Sequence, residues 1–215
     1  MTDLPATEAL AQLNAALARC PLVAILRGVR PDEVEAVGDA IIAAGFSIIE
    51  VPLNSPQPLD SIARLARRYG PEVCVGAGTV LSTEDVAAVH DAGGTLMVSP
   101  NVNLAVIRTA VAHGMIALPG FYTPTEAFAA IDAGATGLKL FPAEGASPAY
   151  LKALCAVMPK DLPLLAVGGV TPDNLAQWMA AGAQGAGLGS ALYKAGLSAE
   201  TVAIRAQAFV AATRA

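Results

Sequence analysis

Glycines that follow a helix-like segment and precede a short apolar run recur along this chain at an almost constant interval, and that interval limits the possible folds more than any other feature. Gly45, Gly70, Gly93, Gly114 and Gly134 are separated by 25, 23, 21 and 20 residues, and Gly182 lies 48 further on, the length of two more units. The segments AAGFSIIEV, DAGGTLMVS, AHGMIALPG, DAGATGLKLF and AAGAQGAGLG each read as a helix end, a glycine that stops it, and a strand. One such interval holds one strand and one helix.

Strands are expected near 22–26, 47–53, 73–77, 95–99, 115–118, 137–141, 163–167 and 185–188, with amphipathic helices between them and a further helix near 6–19. Strands and helices alternating in this number predict an α/β fold, a single (β/α)8 TIM barrel domain over 1–215 with an extra N-terminal helix. The competing arrangement is an open doubly wound sheet, but no GxGxxG follows the first strand to mark a dinucleotide site.

Composition narrows the partners. With 54% hydrophobic and 14% charged residues the chain is not a disordered one. Its longest charge-free stretch, Asn174 to Tyr193, is interrupted by Gly182, Gly185, Gly187 and Gly189 and is not read as a membrane span. A net charge of −5 with no basic run beyond Arg67-Arg68 argues against nucleic acid. Asp3 and Glu8 come early and no basic segment leads an apolar run, so a cytoplasmic protein is expected. Cys20, Cys74 and Cys155 are isolated in apolar sequence and read as core thiols, with neither a disulfide framework nor a metal site indicated. His90 and His113 fall at helix ends before glycines, where an imidazolium complements the helix dipole.

In a barrel of this kind the chemistry sits at the C-terminal ends of the strands. There, alternation in Gly137-Leu138-Lys139-Leu140-Phe141 turns both leucines to the helices and Lys139 into the barrel. Desolvation there favours the neutral, nucleophilic amine that forms a Schiff base with a carbonyl. A lysine that snorkels to the mouth, or pairs with a buried carboxylate, fits the same pattern. Glu50, in Ile48-Ile49-Glu50-Val51-Pro52, is the matching carboxylate in an apolar strand: a partner for Lys139 or Arg27, a proton-transfer group, or both.

Val167-Gly168-Gly169-Val170-Thr171-Pro172 leaves the seventh strand through two glycines and enters a helix, and Gly187-Leu188-Gly189-Ser190 is expected to do the same after the eighth. Such a pair can expose backbone N–H groups to an anion at the usual phosphate end of these barrels, or simply satisfy two tight turns. Arg27 offers a planar fork to a carboxylate or phosphate, or an ion pair to Glu50. Thr79, Pro100 and Trp178 read most simply as a turn residue, a helix-start turn and packing.

Taken in order, LRGV, the Glu50 strand, VGAGTV, SPN, PGFYTPTEA, GLKLFPAE, AVGGVTPDN and GLGSALY resemble the 2-keto-3-deoxy-6-phosphogluconate aldolase family, from about Pro21 to Tyr193. The resemblance implies a homotrimeric lyase that needs no metal or other cofactor. It implies Lys139 as the imine-forming residue, Glu50 as the proton shuttle, and Gly168, Gly169, Gly189 and Ser190 at a phosphate. Thr79, Pro100, Phe141 and Arg27 then belong to the pocket. Where gluconate-type members carry a TLRT-like stretch, this chain has Val51-Pro52-Leu53-Asn54-Ser55-Pro56, which with ILRGV resembles the phosphogalactonate branch. That branch implies cleavage of 2-dehydro-3-deoxy-6-phosphogalactonate to pyruvate and D-glyceraldehyde 3-phosphate, with residues 51–56 beside the C4 hydroxyl. Phe121-Tyr122 departs from the small residues expected after Pro119-Gly120. The alternatives are a gluconate-type aldolase, a phosphosugar isomerase or epimerase without a covalent imine, and a non-catalytic phosphosugar-binding barrel.

Overall fold

The computed structural model describes residues 4–214. Helix α1 (Leu4–Arg19) precedes strand β1 (Leu22–Ile25), and the chain then alternates through α2 (Val34–Ala43), β2 (Ile48–Pro52), α3 (Pro58–Tyr69), β3 (Cys74–Gly78), α4 (Thr83–Asp91), β4 (Leu96–Ser99) and α5 (Leu104–Ala112). It continues through β5 (Ile116–Phe121), α6 (Pro124–Asp132), β6 (Leu138–Leu140), α7 (Pro148–Cys155), β7 (Leu164–Val167), α8 (Pro172–Ala180), β8 (Gly185–Leu188) and α9 (Ala199–Ala212). Every strand pairs in parallel with its sequence neighbours, and β8 pairs with β1, so the barrel is closed. No described helix is long and apolar enough to cross a membrane.

The glycine interval has a backbone cause. Gly45, Gly93, Gly114, Gly134 and Gly182 all stand just beyond a helix with positive φ, between +70° and +112°, where a side chain would be strained. Helix starts are equally local: the side chains of Ser82, Asn103, Thr123 and Ser147 accept first-turn backbone N–H groups of α4, α5, α6 and α7.

Alternation divides the strands between two cores. Outward residues such as Ile49, Val51, Leu138 and Leu140 pack under the helices. Inward residues Val23, Ile25, Ile48, Cys74, Leu96, Val98, Ile116, Leu118, Leu165 and Val167 fill the barrel, joined from the N-terminal end by Leu13 and Leu17 of α1. That helix plugs the bottom: Ser47 donates its hydroxyl proton to the Ala16 carbonyl at 2.8 Å, and a methyl on Gly137 would meet Leu13. Cys20 and Cys74 are buried free thiols, and burial pushes both up to about 11.

Two local expectations change. Strand β5 runs on through Pro119, Gly120 and Phe121, because an added register step, Ser99 to Pro119, still pairs it with β4. Strand β8 does not enter a helix directly; Leu192 and Tyr193 both donate to the Gly189 carbonyl in one tight turn, and α9 starts only at Ala199.

Candidate active site

Along the inside of the barrel, several positions carry no side chain. β3 presents Gly76 and Gly78, β8 presents Gly185 and Gly187, and β5 ends its inward row in Gly120. A β-carbon at Gly78 would stand 2.7 Å from Glu50 Oε1, and one at Gly120 would stand 2.6 Å from the Pro100 carbonyl oxygen. The missing side chains leave room for two long polar ones, Glu50 and Lys139, which are 2% and 7% exposed.

Lys139 and Glu50 share a small cavity walled by Val23, Ile25, Val98, Leu118, Leu165 and Val167. They are not an ion pair: among the described residues no carboxylate oxygen lies within 4 Å of Lys139 Nζ, and neither side chain hydrogen-bonds another of them. Burial raises the Glu50 pKa above the usual carboxylate range, with the charges of Lys139 and Arg27 opposing it. Burial also lowers the Lys139 pKa, opposed by Glu50 and reinforced by Arg27. Both shifts favour the neutral forms, and a neutral amine carries the lone pair a nucleophile requires. The Phe141 ring lies beside it, its centroid 4.8 Å from Nζ.

Ile25, Val167 and Gly187 also line a second, larger space, a cleft of about 700 Å³ that opens to solvent at the C-terminal end. Its walls include Arg27, Phe141, Glu144, Gly168, Gly169, Gly189, Ser190, Tyr193 and Lys194. Gly168 and Gly169 have φ of +112° and +67°, so the turn after β7 needs glycine for its backbone path as well as for space. Asn174 braces this turn, accepting from the Thr171 N–H and donating to the Gly169 carbonyl, both at 2.9 Å. On the far wall the Tyr193 hydroxyl donates to Glu33 Oε1 at 3.0 Å, which fixes the β8 turn against the segment after β1.

Six of the residues singled out from the sequence, Arg27, Phe141, Gly168, Gly169, Gly189 and Ser190, thus surround one cleft above Lys139 and Glu50. Thr79 and Pro100 do not line it; they end β3 and β4, on the opposite side of the mouth. None of residues 51–56, expected beside the substrate's C4 hydroxyl, lines this cleft. Val51 points outward into the helix layer, and Leu53 turns away to a separate surface hollow with Gln57 and Leu59. Phe121 also points outward. Tyr122 stacks on Tyr150 and donates to the Gly145 carbonyl, so these bulky residues support the β6–α7 loop and not the cleft wall.

Sequence reasoning missed Glu144 and Lys194. Glu144 lies inside LKLFPAE and Lys194 in the turn that replaces the expected helix after β8, a position that becomes visible only once that turn is known. The His90 and His113 rings lie against each other at helix ends, their centroids 4.6 Å apart and their planes tilted by 49°, and neither lines the cleft. No group of His, Cys, Asp or Glu among the described residues is arranged to hold a metal.

Comparison with known proteins agrees with this geometry. The family described as "Aldolase: KDPG and KHG aldolase" matches residues 13–207. The chain is 54% identical over 196 residues to the 2-dehydro-3-deoxy-6-phosphogalactonate aldolase of Escherichia coli strain K12, covering 91% of this chain and 96% of that one. It is 34% identical over 152 residues to the 2-dehydro-3-deoxy-phosphogluconate aldolase of Pseudomonas aeruginosa, covering 70% and 68%. A solved structure titled "Native KDPGal structure" superposes with a TM-score of 0.90 at 54% identity, over 91% of this chain and 95% of that one. The chain belongs to the KDPG and KHG aldolase family.

The glycine cleft can be probed without straining the fold. A methyl added at Gly189 meets nothing within 4 Å, and its φ is not in the left-handed region. Gly189→Ala is expected to keep the unfolding free energy within about 0.5 kcal/mol of the parent. Titration calorimetry should show weaker binding of inorganic phosphate, by roughly threefold or more, about 0.65 kcal/mol. Unchanged phosphate affinity would mean that this glycine only shapes the turn.

Proposed function

We propose that the chain is a class I aldolase that reversibly cleaves 2-dehydro-3-deoxy-6-phosphogalactonate to pyruvate and D-glyceraldehyde 3-phosphate. The observation that carries this reading is a buried, unpaired lysine and a buried glutamate facing one apolar cavity under an open cleft with glycine turns. Neutral Lys139 attacks the C2 ketone. Glu50, protonated, gives its proton to the departing hydroxyl, and water leaves as the imine forms. Glu50, now a carboxylate, accepts the C4 hydroxyl proton directly or through a water. The C3–C4 bond then breaks, its electron pair moves into the protonated imine, and the aldehyde is released. Glu50 returns the proton to C3 of the enamine; water then adds to the protonated pyruvate imine and gives its proton to Glu50, and pyruvate leaves with Lys139 neutral and Glu50 protonated again. One acid/base group serves each step because the reacting atoms are adjacent.

The remaining assignments follow the same reading. Gly168, Gly169, Gly189 and Ser190 receive the phosphate through backbone N–H groups, helped by the positive end of α8. Arg27 receives a substrate oxyanion, Phe141 walls the lysine, and Thr79 and Pro100 close the other side of the mouth. The galactonate epimer is favoured by the higher identity to the phosphogalactonate enzyme than to the phosphogluconate one. We place the enzyme in the cytoplasm as a homotrimer of 21.7 kDa chains, in keeping with the family resemblance.

Incubation with pyruvate and borohydride should fix a stable adduct on Lys139, located by peptide mass mapping. Lys139→Arg should abolish it, since arginine keeps the charge but forms no imine. Glu50→Gln should lose roughly 100-fold or more in turnover, the scale of a lost general acid/base. An adduct confined to Lys152, Lys160 or Lys194, or none, would overturn the imine mechanism.

Steady-state cleavage of the two pure C4 epimers tests the substrate. The expected result is a higher kcat/KM for the galactonate compound; a preference for the gluconate compound would refute the epimer assignment and leave the aldolase chemistry intact.

A further inference from the structure

Arg27 is the exposed cation at the end of β1, and the way it is held is specific. Its Nη1 donates to Asn54 Oδ1 at 2.6 Å, while no carboxylate oxygen of the described residues lies within 4 Å of the guanidinium. A guanidinium has five N–H donors in a rigid plane, so one neutral acceptor fixes the direction of the fork while leaving its charge and its other donors unspent. An aspartate or glutamate in the same place would neutralise that charge. Asn54 itself stands outside the cleft, whereas Arg27 lines it.

The segment carrying Asn54 is stiff. Leu53 donates its N–H to the Gly78 carbonyl at 2.8 Å, and Ser55 donates to the Pro52 carbonyl at 2.9 Å, closing a tight turn directly on β2 and β3. Next to Asn54, the buried Ser55 hydroxyl accepts the Gly28 N–H at 2.9 Å. Two adjacent residues of the β2–α3 loop therefore hold two adjacent residues of the β1–α2 loop, one by its side chain and one by its backbone. Arg27 also acts at a distance on the chemistry, since its charge bears on both Glu50 and Lys139.

We infer that Asn54 is a positioning residue for anion binding: it aims the Arg27 fork into the cleft as a receptor for an oxyanion of the sugar acid. Ser55 supports it by fixing the backbone at Gly28. The inference rests on the proposed aldolase reading for the identity of the substrate, but the receptor itself needs no turnover to be observed. The substrate carries two oxyanions, a carboxylate beside the ketone and a terminal phosphate, and the same fork chemistry suits either.

Binding of pyruvate and of inorganic phosphate, each measured by calorimetry, separates the two sources. Asn54→Ala should weaken one of them by at least about fivefold, near 1 kcal/mol, and raise the KM for the sugar acid by a similar factor with a smaller loss in kcat. In an Arg27→Ala background the same substitution should change neither by more than about 1.5-fold, because the group that Asn54 positions is already gone. A shift confined to pyruvate assigns the carboxylate, and one confined to phosphate assigns the phosphate. Unaltered binding of both anions in Asn54→Ala, or a loss that persists undiminished without Arg27, would overturn the inference. The borohydride adduct on Lys139 is read separately: its absence in the parent protein counts against the aldolase reading, whatever Asn54 does to anion binding.

Discussion

The structure turns on the burial of a lysine and a glutamate in one apolar chamber without direct contact. Removing a charge from water is expensive, and a close ion pair is the ordinary way to offset it. Here the offset is a shift of both groups toward neutrality, upward for Glu50 and downward for Lys139, with each partner's charge opposing the other's shift. A salt bridge at this site would hold the amine protonated and inert. Because the two are not bridged, burial favours a neutral, nucleophilic amine and a protonated carboxyl side by side.

That separation is a product of the barrel wall. Ile25, Val98, Leu118, Leu165 and Val167 supply the low-polarity surface, while glycines at 76, 78, 120 and 187 keep the interior from closing. Helix α1 fills the bottom with Leu13 and Leu17. The loops there divide the labour: the turns after β7 and β8 present backbone, β1 presents Arg27, and the β2–α3 loop holds Arg27 in place.

Much of this was legible in the sequence because it rests on local rules. The glycine interval reports helix ends that need positive φ, and the alternation around Lys139 reports which face of β6 meets the barrel. Loop conformation was less legible. Val51 to Pro56 stands next to a functional strand, yet its turn folds toward β3 and reaches the cleft only by way of Arg27, a relation made by residues 27 positions apart. The segment after β8 also opens on a glycine, as the one after β7 does, but it closes a single turn on Gly189, which brings Lys194 into the cleft wall. Such contacts depend on how neighbouring loops meet and leave no periodic trace in the chain.

Burial lowers the Lys139 pKa, and the chemistry depends on that shift. Heteronuclear NMR titration of the lysine Cε–Nζ resonances measures it, with Lys139 identified by its loss in Lys139→Arg. The expected midpoint lies below that of an ordinary lysine, about 10.4, and lower still in Glu50→Gln, where the opposing carboxylate charge is gone. A Lys139 that titrates at the ordinary lysine value would contradict it.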